Sequence, residues 1–157
     1  MITIRPAVIS DTPQILKFIQ GLAEYERLSH ACLATEASLE ETLFGLRPYA
    51  EVIIADCGGG PAGFALFFHN YSTFRARPGI YLEDLYVLPE LRGRGIGKAL
   101  LKALARTAVA RNCARLEWSV LDWNEPSIQF YKSLGATAQD EWTIYRVTDE
   151  ALMKLAE

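Results

Sequence analysis

Three cysteines and two histidines are a thin supply of reactive or metal-binding side chains for a chain of 157 residues. Cys32, Cys57 and Cys113 are odd in number, far apart and without a Cys-x-x-Cys pair, which excludes a disulfide framework and a thiolate zinc site. They are expected to be buried thiols, with His30 and His69 as packed or solvated imidazoles, and no metal is expected. No apolar run approaches the roughly 18 residues of a membrane span, and no basic segment leads into an apolar one at the N-terminus. The expectation is a cytoplasmic protein with no membrane partner. Internal repeats, low-complexity tracts and linkers are also missing, so residues 1–157 are expected to form a single domain. A net charge of −3 argues against wholesale nucleic-acid binding.

What the chain does have is uneven charge and one dense cluster of glycine. From Arg92 to Arg115 there are seven basic residues and no acidic one, whereas Glu24 to Glu51 holds six acids against two arginines. That pattern suits an anionic ligand on one side and a cationic one on the other. The basic stretch has no interleaved aromatics, which makes a nucleic-acid module the weakest reading. The glycines fall in Tyr81 to Leu101, which reads as strand, glycine-rich turn and helix. Leu82, Asp84 and Tyr86 alternate with Glu83, Leu85 and Val87, and Pro89 ends the run. Gly93, Gly95 and Gly97 permit positive φ and close approach of a ligand, and Leu100, Leu101, Leu104, Ala105 and Ala108 keep helical spacing behind them. Free N–H groups at that helix start favour an anion.

Spacing decides which anion. A Walker loop fails because Arg92 stands where its first glycine belongs and Ala99 follows Lys98; the dinucleotide fingerprint fails because the turn reads Gly-x-Gly-x-Gly. Elsewhere, Thr3–Pro6 reads as a strand, Ser10-Asp11-Thr12-Pro13 as a capped start for a helix to about Leu28, and Thr35 to Gly45 as a second helix. Tyr49–Cys57 and Gly63–Tyr71 read as a hairpin about Gly58–Pro61, with a loop at Pro78-Gly79 before the central strand. The glycine-loop helix runs to about Arg111, a strand covers Arg115–Leu121, Asn124 caps a short helix stopped at Gly135, and Glu141–Val147 reads as a last strand. The order β-α-α-β-β-β-α-β-α-β is a mixed α/β domain.

Arg92, Gly95 and Gly97 in the pattern Arg-x-x-Gly-x-Gly resemble the pyrophosphate-binding loop of the GNAT family of N-acetyltransferases. A second segment agrees: Leu121-Asp122-Trp123-Asn124-Glu125-Pro126-Ser127 and Phe130-Tyr131-Lys132 resemble that family's Asn-started helix, whose tyrosine lies near the coenzyme sulfur. With Leu22-Ala23-Glu24-Tyr25-Glu26 and Tyr81-Leu82-Glu83-Asp84, the chain is similar to the diamine (spermidine/spermine) and thialysine N-acetyltransferase branch. The resemblance implies the GNAT (acyl-CoA N-acyltransferase) fold, a mixed, mostly antiparallel central sheet flanked by helices, with acetyl-CoA as co-substrate and a homodimeric assembly. Ser72-Thr73-Phe74 stands where polyamine acetyltransferases carry Asp-Pro-Trp, which removes a carboxylate and counts against a polyamine acceptor.

By that resemblance, Arg92, Gly93, Arg94, Gly95, Ile96, Gly97 and Lys98 bind the pyrophosphate. Leu85, Tyr86 and Val87 line the pantetheine arm, with the Val87 N–H as oxyanion donor, and Asn124 and Ser127 touch the same arm. Acetyl transfer to an amine near pKa ~10.4 must also offset about three units of deprotonation at neutral pH, roughly 4–5 kcal/mol. The resemblance gives that task to Glu83, as base or electrostatic clamp, and makes Tyr131 the acid for the departing thiolate. Tyr25, Glu26 and Glu83 bind the acceptor, and Cys113 is a spectator of direct transfer. The enzyme readings are acetylation of a small cationic amine or of a protein N-terminus or lysine; a non-catalytic coenzyme-A sensor is the alternative outside catalysis.

Overall fold

Glycine placement sets the first hairpin. Gly58 and Gly59 have φ of 66° and 88°, the pair of left-handed residues that a two-residue turn between right-twisted strands requires. The turn joins β2 (Glu51–Cys57) to β3 (Gly60–Ser72), and the computed structural model, which describes residues 1–157, continues this meander to β4 (Arg77–Val87). With β1 (Ile2–Pro6) and β5 (Leu116–Trp118), the sheet order is β1-β2-β3-β4-β5, antiparallel except for the parallel β4–β5 pair. A parallel neighbour needs a crossover, and α3 (Ile96–Ala110) supplies it.

Both faces of the sheet are covered. On one, Ile15 and Phe18 of α1 (Thr12–Tyr25) and Leu39 and Leu43 of α2 (Glu36–Phe44) pack against Val52, Ile54, Phe64 and Tyr86. On the other, α3 buries Ile96, Leu100, Leu101, Leu104 and Ala108. These elements belong to a compact unit, Met1–Ser119; a second unit, Val120–Glu157, holds α4 (Glu125–Ser133) and α5 (Asp149–Leu155).

One irregularity interrupts the β3–β4 ladder. Leu82 pairs with Phe67 and Asp84 with Leu66, so Glu83 is the extra residue of a β-bulge. Paired residues share a face of the sheet, and Leu66 and Phe67 point to opposite faces. Leu82 therefore faces the α3 side, while Asp84 and Tyr86 face the α1 and α2 side. The bulge also shifts the hydrogen-bonding phase. Before it, the Ile80 N–H turns away from β3 and donates to the Arg115 carbonyl at 3.0 Å. After it, the Leu88 N–H to Ala62 carbonyl bond of 2.9 Å marks Val87–Gly63 as a pair that exchanges no bonds, so the main-chain groups of Leu85 and Val87 turn outward instead.

Such pairs bring backbones close, which explains Gly63. A Cβ there would lie 2.5 Å from the Tyr86 carbonyl oxygen and 3.2 Å from Val87 Cα. Both are backbone atoms and have little room to yield, so Gly63→Ala is expected to cost about 2–3 kcal/mol, or a melting temperature lower by roughly 5–10 °C, measured by thermal unfolding.

Several sequence-based expectations need correction. Asp11 precedes α1 but makes no capping bond, because its carboxylate takes the Arg5 guanidinium at 2.8 and 3.0 Å and the Val8 N–H at 2.8 Å. The helix stops at Tyr25 rather than near Leu28: Arg27 turns left-handed (φ 61°) and the Leu28 N–H closes back onto the Ala23 carbonyl at 2.8 Å, a Schellman-type end. Pro78 and Gly79 lie inside β4, opposite Tyr71 and Asn70. The strand expected over Arg115–Leu121 is only Leu116–Trp118, and Glu141–Val147 forms no strand because no backbone in the chain pairs with it. The C-terminal helix α5 was not anticipated, and the three thiols are half-buried rather than buried.

Candidate active site

At the start of α3, Gly93 and Gly95 have φ of 76° and 85°, and nothing lies within 4 Å of where their Cβ atoms would be. Conformation, not space, demands glycine at both. The first helical bond runs from the Ala99 N–H to the Gly95 carbonyl at 2.9 Å, so the N–H groups of Ile96, Gly97 and Lys98 precede it with no intrahelical acceptor. The first turn contains no acid, and the exposed Arg94 and Lys98 add positive charge. This suits a diphosphate.

The outward edge of β4 lies just before that loop. Because β5 pairs only with Ile80, Tyr81 and Leu82, β4 continues past it, and the Leu85 and Val87 main-chain groups face away from β3 along this continuation. Tyr86 contributes differently. Its main chain pairs with Phe64, and its ring is buried against Phe18, at 6.1 Å between centroids. A Cβ on Gly21 would fall 2.5 Å from the Tyr86 hydroxyl oxygen, so α1 accepts this ring only because residue 21 is glycine.

Three carboxylates stand near the same strand. Glu83 is exposed on the bulge, Glu26 is half-buried at the end of α1, and Asp84 is half-buried on the α1 and α2 face. Burial, then the charge of Glu83, raises the Glu26 carboxyl above its ordinary value. Asp84 is pushed up to about 6, by burial first and then by Glu83 and Glu26. Sequence reasoning passed over Asp84. The available signal was a carboxylate in the same alternating series as the apolar Leu82 and Tyr86.

A raised carboxyl stabilises the fold when protonated. Its contribution is complete below the ordinary value of 3.8 and is lost as pH rises through about 6. Asp84→Asn is therefore expected to melt higher than the parent at pH 7.5, by about 5 °C, and to match it near pH 4. The shift alone would imply a larger effect, which partial exposure reduces to about 1–2 kcal/mol. Thermal unfolding across that pH range checks both ends.

Arg92 leads the glycine loop and reaches back toward β4 and α1. Its guanidinium lies 5.0 Å from the ring centroid of Tyr25 and 5.4 Å from that of Tyr86, and its Nε donates to the Val87 carbonyl at 3.0 Å. Tyr25 is the last residue of α1, so one cation connects the glycine loop, β4 and the helix end that carries Glu26.

In the second unit, Asn124 is 6% exposed and occupies the N-cap position of α4 without a side-chain capping bond. Ser127 and Tyr131, at intervals of three and seven residues from it, share its helical face and are half-buried. The Tyr131 ring lies 5.6 Å from that of Phe130.

Comparison with known proteins agrees with this arrangement. The family model described as Acetyltransferase (GNAT) family matches residues 19–136. The thialysine N-epsilon-acetyltransferase of Bos taurus is 38% identical over 166 aligned residues, covering 99% of this chain and 97% of that protein. The L-ornithine N5-acetyltransferase NATA1 of Arabidopsis thaliana is 34% identical, covering 97% of this chain and 86% of that protein. Among solved structures, the integron cassette protein VCH_CASS6 from the mobile metagenome of V. cholerae has a TM-score of 0.83 at 29% identity, covering 99% and 98% of the two chains. A diphosphate-ready helix start, an open strand edge and these likenesses lead to one assignment: the chain belongs to the GNAT acetyltransferase family and is an acyltransferase that uses acetyl-CoA.

Proposed function

We propose that this enzyme acetylates a primary amine of a small cationic acceptor, of the thialysine, lysine, ornithine or diamine kind, by direct transfer within a ternary complex. The observation that carries the reading is the grouping of Glu26, Glu83 and Asp84 beside the strand whose Leu85 main chain and Val87 N–H turn outward, where a thioester can meet them. Three acids within Coulombic reach of one another favour a cation there. The names of the thialysine and ornithine acetyltransferases that it resembles support the same substrate class.

In this reading the N–H groups from Gly93 to Lys98, with Arg94 and Lys98, hold the pyrophosphate. The Leu85 and Val87 main chain aligns the pantetheine arm, and Asn124 and Ser127 assist it. The Val87 N–H donates to the thioester oxygen as charge develops there. Tyr25 and Glu26 hold the acceptor, and Glu83 takes the amine proton through water or stabilises the ammonium before it leaves. The amine nitrogen bonds to the carbonyl carbon, the carbon–sulfur bond breaks, and Tyr131 gives its proton to the thiolate. We extend the proposal to a homodimer, as the branch resemblance implies, and to a cytoplasmic location, the expectation drawn from the sequence above.

A coenzyme-A release assay over thialysine, lysine, ornithine, spermidine and short diamines tests the reading. The expected result is turnover highest on an amino-acid amine, and turnover on peptides alone would replace the small-amine acceptor with a protein one.

A further inference from the structure

The mechanism above gives Arg92 nothing to do, yet few side chains in the molecule are held by so many partners. Its Nε bonds the Val87 carbonyl at 3.0 Å, and its guanidinium lies over the rings of Tyr25 at 5.0 Å and Tyr86 at 5.4 Å. The Tyr86 ring is itself fixed by Phe18 and by the space that Gly21 leaves on α1. These contacts use the planar faces and one edge of the guanidinium, the features that separate arginine from lysine. They also span the two halves of the reaction, since Val87 belongs to the thioester edge while Tyr25 and Glu26 close α1.

We propose that Arg92 is a positioning residue of the acceptor site: by bridging the Val87 carbonyl, Tyr86 and Tyr25 it fixes the end of α1, so that acceptor binding depends on it and pyrophosphate binding does not. The inference rests on the small-amine reading given above, for which Tyr25 and Glu26 hold the acceptor. It takes the leading arginine of the glycine loop out of the phosphate site and leaves that site to the main chain, Arg94 and Lys98.

The test uses the full chain with Arg92→Ala, Arg92→Gln and Arg92→Lys. Glutamine retains a donor for Val87 without charge or a cation for the rings, and it serves if the alanine variant folds poorly. Coenzyme A affinity is measured by titration calorimetry, acceptor KM and kcat by thiol release, and local order by hydrogen exchange over residues 22–28. The expected result is an acceptor KM raised about tenfold or more in the alanine and glutamine variants, with partial rescue by lysine. Coenzyme affinity should stay within about twofold, and exchange at the end of α1 should speed up. A coenzyme affinity that falls as far as or further than the acceptor KM rises overturns the proposal and returns Arg92 to the phosphate. Unchanged exchange over residues 22–28 overturns it as well. If the parent enzyme acetylates no small amine, the functional reading fails separately, and the exchange and coenzyme measurements still decide what Arg92 does.

Discussion

Replacing Tyr131 by phenylalanine is expected to lower kcat by about 10²–10³-fold while leaving coenzyme A affinity within about twofold of the parent. The hydroxyl is the only atom removed, so ring packing against Phe130 survives and α4 should keep its fold. A thiolate that leaves without a proton is a poorer leaving group, and a positioned acid supplies about that factor. Single-turnover and steady-state kinetics together separate chemistry from release. Unchanged turnover would remove Tyr131 as the acid and leave the leaving group to water.

Glu83→Gln should produce a loss of comparable size, about 10²–10³-fold in kcat/KM, without a change in coenzyme affinity. The substitution preserves the length of the side chain and its place on the bulge, and it removes one negative charge. A second readout distinguishes it from a disturbance of the strand. Glu83 contributes to the upward shifts of Asp84 and of Glu26, so neutralising it should bring both carboxyls down toward their ordinary values, followed by carboxyl-carbon NMR titration. Lost activity with an unmoved Asp84 titration would mean that the two groups do not sense one another as the structure places them. A bound ammonium should act on Asp84 in the same direction, favouring its charged form. Acceptor affinity is therefore expected to weaken as pH falls through about 6, where Asp84 takes up its proton.

These expectations rest on features that were unequally legible in the chain. The loop from Arg92 to Lys98 and the helix behind it could be read directly, because glycine spacing and a 3.6-residue apolar period are local properties. Thr35 and Gly45 bracket α2 for the same reason. The bulge was invisible: Leu82-Glu83-Asp84 looks like plain alternation, and only the register against Leu66 and Phe67 reveals that Glu83 is extra. That is also why Asp84 was passed over, and the motif at Arg92 gives no sign of the rings its guanidinium meets. Its partners Tyr25 and Tyr86 come from distant parts of the chain. Glu141–Val147 failed for the opposite reason, since Trp142, Ile144, Tyr145 and Val147 have strand-like composition but a strand exists only where a second backbone accepts it. Pro78 and Gly79, read as a loop, lie in β4, where a Cβ on Gly79 would sit 2.3 Å from Asn70 Oδ1.

The single residue by which β4 is longer than its pairing requires has a consequence for how this protein can vary. On one side of Glu83 the even-numbered residues turn their main chain away from β3, and on the other side the odd-numbered ones do. Removing Glu83 alone would set Leu82 and Asp84 in successive pairs with Phe67 and Leu66, an unbroken ladder in which every later residue of β4 keeps its partner. Tyr86 would still lie opposite Phe64 and the Val87 main chain would still turn outward, so the extra residue contributes its carboxylate and a local bend rather than the register. Glu83 is thus an insertion that the sheet tolerates, an acid set beside the thioester edge without disturbing the pairing on either side of it.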